Sequence, residues 1–322
     1  MRSGMQLTEG QKTSISPEAA AFLNKVRTVP LANFLAPYLT TPNRVINFRA
    51  QYEKNIPLEE SIITKFGLQV KEIKIAGVIV VVIEPPNIKP EYASKIVVNI
   101  HGGGFVLSRA RDRTSLILAG ELGMRVYAIE YTLSPEARYP VTRDECLDVY
   151  RQLVKDFRPQ DIFFTSSSSG GQLTLSMLLL AQKEKLPIPA AQYLCTPAAD
   201  LTGAGDSIVT NASRDIMPGS FLIGMVEQNY APPGFNKKDP LFSPLFATYN
   251  LDFPPTIITV GTRDLLLSTG VQLYWKLREA GVEVELLVSE GMWHGFNWEL
   301  EVPESICARV AVKAFLLKHA LI

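Results

Sequence analysis

Four consecutive serines, Ser166 to Ser169, stand between an apolar segment and the pair Gly170-Gly171. A hydroxyl in that setting suits a nucleophile on a sharp strand-to-helix turn, where a glycine two residues on lets the next helix approach closely. That spacing selects Ser168; the competing reading is a helix N-cap made of small residues. Upstream, His101-Gly102-Gly103-Gly104 closes another apolar segment, KIVVNI. Backbone without side chains at a strand's carboxyl end leaves N–H groups that can face a developing oxyanion.

A serine hydroxyl needs a base to become a nucleophile, and the chain has three histidines to supply one. His101 begins the glycine run, and His319 lies near the C-terminus in a helix, where it is expected to face solvent. His294, in EGMWHGF, follows the last apolar segment and is the residue placed to serve as base, although a lone histidine can equally be structural. Asp264 follows the segment TIITVG and is predicted to orient His294, or to cap the helix after it. Glu290 is the rival acid, but it shares a loop with His294 and would have to fold back. The order Ser, Asp, His is that of the α/β-hydrolase fold.

The elements that must hold these groups are legible in the hydrophobic pattern. Apolar segments Ile96–Ile100, Arg125–Tyr131, Asp161–Thr165, Ala191–Cys195, Thr256–Val260 and Val284–Val288 alternate with helical stretches Ser115–Leu122, Arg143–Phe157, Gly171–Glu184 and Leu267–Ala280. Strands apolar on both faces with helices between them predict a mostly parallel sheet covered on both sides. Val70 to Ile83 reads as an antiparallel hairpin at a sheet edge, turning at Ala76-Gly77. Ser16-Pro17 and Thr41-Pro42 open two N-terminal helices, to about Val26 and Lys54. Residues 201–238 break the rhythm with turn-prone segments, and an excursion of that length predicts a lid or cap.

Composition excludes several classes. Lys plus Arg equals Asp plus Glu at 32 each, so no net field favours nucleic acid or an anionic membrane. Cys146, Cys195 and Cys307 are odd in number and widely spaced, which predicts buried free thiols and no zinc site. No apolar run is long enough to cross a bilayer and the first residues carry no secretory pattern, which predicts a soluble cytoplasmic protein. The glycine run fails G-x-G-x-x-G, because Leu107 stands at its third glycine position, and no phosphate loop G-x-x-x-x-G-K-[ST] occurs.

With these residues in place, the chain resembles the hormone-sensitive-lipase-like family of α/β-hydrolase esterases. The resemblance is carried by HGGGF (His101–Phe105), YTLSPEARYP (Tyr131–Pro140), DPLFSPL (Asp239–Leu245), GTRDLLL and GMWHGF, in the family's order. It departs at the nucleophile, where the family's G-D-S-A-G-G is Ser166-Ser167-Ser168-Ser169-Gly170-Gly171. The resemblance implies an α/β-hydrolase fold with a helical cap, in which residues 1–60 contribute cap helices and 61–322 form the catalytic domain with 201–238 as a cap insertion.

Carried over by position, it implies Ser168, Asp264 and His294 as a triad, with Gly103, Gly104 and Ser169 donating N–H groups to the oxyanion. His101 and Glu136 would brace the loop. Phe105, Met217, Phe221, Leu222, Met225 and Trp293 are candidates for the substrate pocket, or pack the underside of the cap. The implied activity is hydrolysis of small short-to-medium acyl esters through an acyl-enzyme, without metal or organic cofactor and with a homodimer as the family's habit. A ligand-binding protein on a silenced scaffold, and hydrolysis of lactones or amides, are the alternatives.

Overall fold

The computed structural model describes residues 7–26, 32–52 and 56–320. Its sheet contains β1 (Gln69–Ile75), β2 (Val78–Glu84), β3 (Ile96–Ile100), β4 (Arg125–Glu130), β5 (Ile162–Ser167), β6 (Ala191–Cys195), β7 (Thr256–Gly261) and β8 (Val284–Ser289). The strand order is β1-β2-β4-β3-β5-β6-β7-β8. β2 pairs antiparallel with β1 and β4, and the pairs from β4 to β8 are parallel. Ile75 sits opposite Val78 across Ala76-Gly77, both at positive φ (51° and 84°), as a two-residue hairpin turn requires.

The strands β3, β5, β6 and β7 are buried on both faces because their residues alternate between two cores, while the edge strands β1 and β8 stay partly exposed. Ile96, Val98 and Ile100 of β3 face one core, with Phe164 of β5, Ile258 of β7 and side chains of the helices Val141–Asp156, Ser169–Lys183 and Leu267–Glu279. Val97, Phe163 and Ile257 face the other, with the helices Ile56–Phe66, Arg113–Leu122 and Pro303–Ala320. The helix Ile56–Phe66 runs across the boundary expected at residue 60. Among the described residues no helix is long and apolar enough to cross a membrane.

The helix opened by Thr41-Pro42 spans Pro42–Tyr52, and its expected end at Lys54 lies outside the described residues. The excursion at 201–238 forms helices Asp206–Thr210 and Gly219–Met225 and a π-helical turn Val226–Tyr230. Gly219–Met225 packs on the N-terminal helix Ala32–Leu39. Asn229 donates to the Thr40 carbonyl at 2.8 Å, which ties the two segments together.

Two expectations need correction. His319 does not face solvent: its ring packs on Phe315 with centroids 4.9 Å apart, and Nε2 lies 3.6 Å from Glu283. Cys146 and Cys195 are buried but Cys307 is exposed, because it lies on the outer side of the last helix.

Candidate active site

β3, β5, β7 and β8 are parallel, so the loops after them emerge at one edge of the sheet, where open α/β sheets hold ligands. β5 extends through Ser166 and Ser167, which pair with Leu194 and Cys195 of β6. The chain then turns at Ser168, at φ 51° and ψ −119°, a backbone conformation rare for a residue with a side chain. The Ser168 N–H donates to the Cys195 carbonyl at 2.9 Å, and its carbonyl accepts from Gly171 and Ala198 at 3.0 Å. These bonds hold the strain. Gly170 permits the turn, since a Cβ there would lie 2.1 Å from the Ile100 carbonyl oxygen.

Asp264 and His294 meet this serine. His294 Nε2 lies 3.0 Å from Ser168 Oγ, and Nδ1 lies 3.0 Å from Asp264 Oδ1. Asp264 Oδ1 also accepts the Leu266 N–H at 2.8 Å. An ionised carboxylate only accepts, so it fixes the proton on Nδ1 and leaves the Nε2 lone pair toward the serine hydroxyl. All three side chains are buried. Glu290 is exposed and stays apart from the imidazole.

A fourth group, Asp215, was not singled out by the sequence. Its Oδ1 accepts the N–H of His294 at 2.9 Å and of Ile216 at 2.6 Å, and Oδ2 accepts that of Leu265 at 2.7 Å. It therefore clamps the loops bearing His294 and Asp264 to the excursion. Burial, then the nearby Asp264 charge, raises its pKa. Burial disfavours the charged His294 ring, but Asp264 and then Asp215 outweigh it, so its pKa is raised above the ordinary 6.5. Asp215, Asp264 and His294 together offer a set of metal-ligand types. Both Asp215 oxygens and Asp264 Oδ1 accept N–H groups and His294 Nε2 faces the serine hydroxyl, while Asp264 Oδ2 is buried without a partner among the described residues.

The glycine run curls over Ser168. Gly103, at φ 104°, tolerates no side chain, because a Cβ would lie 2.2 Å from the Leu107 carbonyl oxygen. The N–H groups of Gly103, Gly104 and Ser169 donate to no other described residue, while the Phe105 N–H is held by Ser169 Oγ at 3.2 Å. His101 stacks on Tyr131 with centroids 4.1 Å apart, and Nδ1 donates to the Gly102 carbonyl at 2.8 Å. Burial pushes its pKa down to about 4 against that bond, so the ring is neutral.

Arg49, from the helix Pro42–Tyr52, donates to the Val106 carbonyl at 2.7 Å and to Glu136 at 2.6 and 2.9 Å. It also donates to the Ser134 carbonyl. The guanidinium holds the Glu136 carboxyl below the usual carboxylate range.

A cavity of about 300 Å³ is lined by Gly102, Gly103, Ser168 and His294 together with Met217, Phe221 and Met225. Phe105, Leu222 and Trp293 lie outside its lining, which corrects their expected place. Positive φ at Phe105 (68°) turns its ring onto Tyr230, centroids 3.6 Å apart. Trp293 stacks on Phe22 at 4.1 Å, and Leu222 packs into the core. Arg49 and Trp298, which lines the cavity, carried no sequence signal beyond their residue types.

Residues 97–297 match a family model described as alpha/beta hydrolase fold. An esterase of Acinetobacter venetianus is 31% identical over 235 residues, spanning 71% of this chain and 75% of that protein. An ethyl acetate hydrolase of Pseudomonas putida is 30% identical over 220 residues, 66% of this chain and 69% of its own. Among solved structures, the esterase E25 superposes with a TM-score of 0.89 at 32% identity, covering 98% of this chain and 97% of that one.

Proposed function

The chain belongs to the alpha/beta-hydrolase-fold family of esterases and is a carboxylic ester hydrolase, and we propose that it works with Ser168 as nucleophile, His294 as base and Asp264 as the carboxylate that orients it. His294 Nε2 takes the hydroxyl proton as Ser168 Oγ attacks the ester carbonyl carbon. The carbonyl oxygen becomes an oxyanion, received by the N–H groups of Gly103, Gly104 and Ser169. Such a donor is worth about 10²–10³ in turnover. The tetrahedral intermediate collapses, the C–O bond to the alcohol breaks, and His294 gives that alcohol its proton. Water then attacks the acyl-enzyme, losing a proton to His294; the acid departs and the proton returns to Ser168.

The observation that carries this reading is the 3.0 Å contact on each side of the His294 ring. It also weighs against a silenced binding scaffold, which has no use for a strained serine beside a tautomer-fixed imidazole. A cavity near the small end of ligand pockets supports short-chain esters as substrates, as does the relative named an ethyl acetate hydrolase. The excursion at 201–238 and the N-terminal helices form the cap in this reading, since Met217, Phe221 and Met225 line the cavity and Gly219–Met225 packs on Ala32–Leu39.

The test is hydrolysis of p-nitrophenyl butyrate. Ser168→Ala is expected to lower kcat by about 10³-fold or more, and a fluorophosphonate is expected to label Ser168. Undiminished turnover by the variant, or an adduct on Ser166, Ser167 or Ser169, overturns the assignment.

A further inference from the structure

Two cavities share a wall beside the site just described. The inner one, about 300 Å³, holds Ser168 and His294. The second, about 580 Å³, lies between the helices Pro17–Lys25 and Ile56–Phe66 and the segment Trp298–Val302. Arg113 and Trp298 line both.

That wall is fixed on several sides. Trp298 ends the 3-10 turn Phe296–Trp298 and meets the His294 ring edge-on, centroids 6.3 Å apart. Its indole lies over Gly295, at φ 72°, where a Cβ would come within 2.5 Å of the ring. The Arg113 guanidinium sits 5.9 Å from the indole centroid, and Nη1 donates to Glu299 at 3.2 Å. A cation on an aromatic face, itself tied to a carboxylate, holds both groups in place. Beyond the wall, Phe22, Leu58, Ile62 and Leu300 supply apolar lining to the second cavity, which the charged side chains of Glu18, Lys25, Lys65 and Glu301 also line. Leu58, Lys25 and Lys65 are exposed, so this cavity is a groove on the surface.

We infer that Trp298, braced by Arg113, sets the length of hydrocarbon chain that the ester substrate can carry. The inner cavity takes a short chain, and the indole keeps a longer one out of the apolar groove. Without the indole, methylenes beyond the wall would find apolar lining in place of a collision. The inference rests on Ser168 and His294 marking the reacting end of the inner cavity.

The experiment compares kcat/KM for p-nitrophenyl octanoate and p-nitrophenyl acetate in the wild-type protein and in Trp298→Ala. The readout is the octanoate-to-acetate ratio, which a general loss of activity does not move. It is expected to rise by about tenfold or more, the least that a methylene-scale change of pocket fit gives. An unchanged ratio in the folded variant overturns the inference. Trp298→Phe keeps a ring over Gly295 and serves where the alanine variant does not fold; its ratio is expected to rise less, and no rise again overturns the inference. Failure of the site assignment is a separate result, seen as undiminished turnover by Ser168→Ala.

Discussion

The backbone N–H of His294 donates to Asp215 Oδ1 at 2.9 Å, a contact between residues far apart in the chain, buried beneath the imidazole. Asp215 never touches Ser168; it acts on the site through the loops that carry His294 and, by way of Leu265, Asp264. Asparagine at this position keeps the shape but must turn an amide donor toward a backbone N–H on one side. Leaving such a buried donor unpaired costs about 1–3 kcal/mol. Asp215→Asn is therefore expected to lower kcat/KM by roughly ten- to a hundredfold, the same energy expressed as a rate. It is also expected to move the acid limb of the pH–rate profile to lower pH, because one of the charges that favours the imidazolium is gone. A fall in rate with the limb unmoved would leave Asp215 a purely structural residue.

In the wild-type protein the same electrostatics fix the sign of the pH dependence. A base works only when neutral, and the His294 pKa is raised by Asp264 and Asp215 against the effect of burial. With His294 as the proposed base, its protonation as pH falls through that raised value is expected to abolish turnover. The acid limb of kcat/KM is expected to have its midpoint above 6.5, the ordinary imidazole value. Steady-state rates on p-nitrophenyl acetate from pH 5 to 9 check this, and a midpoint at or below 6.5 contradicts it.

Ser169 joins the turn at Ser168 to the glycine run: its Oγ accepts the Phe105 N–H at 3.2 Å, while its own N–H, the proposed oxyanion donor, has no partner among the described residues. Ser169→Ala keeps that N–H and removes the hydroxyl, so the buried Phe105 N–H loses its partner. A neutral hydrogen bond is worth about 1 kcal/mol, which predicts roughly a fivefold fall in kcat with KM little changed. A rise in KM with kcat unchanged would mean that the bond serves substrate binding and not the shape of the loop.

The middle of the sheet was legible because burial on both faces writes continuous apolar segments, and each such segment became a strand; β8 was read from its apolar residues although it lies partly exposed at the edge. Boundaries shifted where composition misleads. β5 runs through Ser166 and Ser167, polar residues that keep their ladder partners in β6. The helix after it begins at Ser169, two residues before the expected start at Gly171. Ser168, Asp264 and His294 were legible because each directly follows a strand at one sheet edge. Asp215 and Arg49 were not, because tertiary packing alone brings them to the site from segments with no spacing signal; Trp298 shares the loop of His294, but nothing in its spacing marked it as cavity lining. Phe105 could not be placed from sequence either, since its ring direction follows from a positive φ set by the glycines before it.

Arg49 is the one described link from the N-terminal helix Pro42–Tyr52 to both the glycine loop and the loop of Glu136. Its Nε holds the Val106 carbonyl, and its Nη atoms hold Glu136 and the Ser134 carbonyl. The planar fork makes these bonds at once, which an ammonium on a flexible stem cannot do. Arg49→Ala frees the loop whose N–H groups must hold position to about half an ångström, so kcat is expected to fall by about tenfold or more. Arg49→Lys is expected to restore less than half of that loss, because charge alone does not reproduce the fork. A lysine variant as active as the wild-type protein would show that only charge matters at this position. An alanine variant with undiminished kcat would show that the glycine loop keeps its shape without the N-terminal helix.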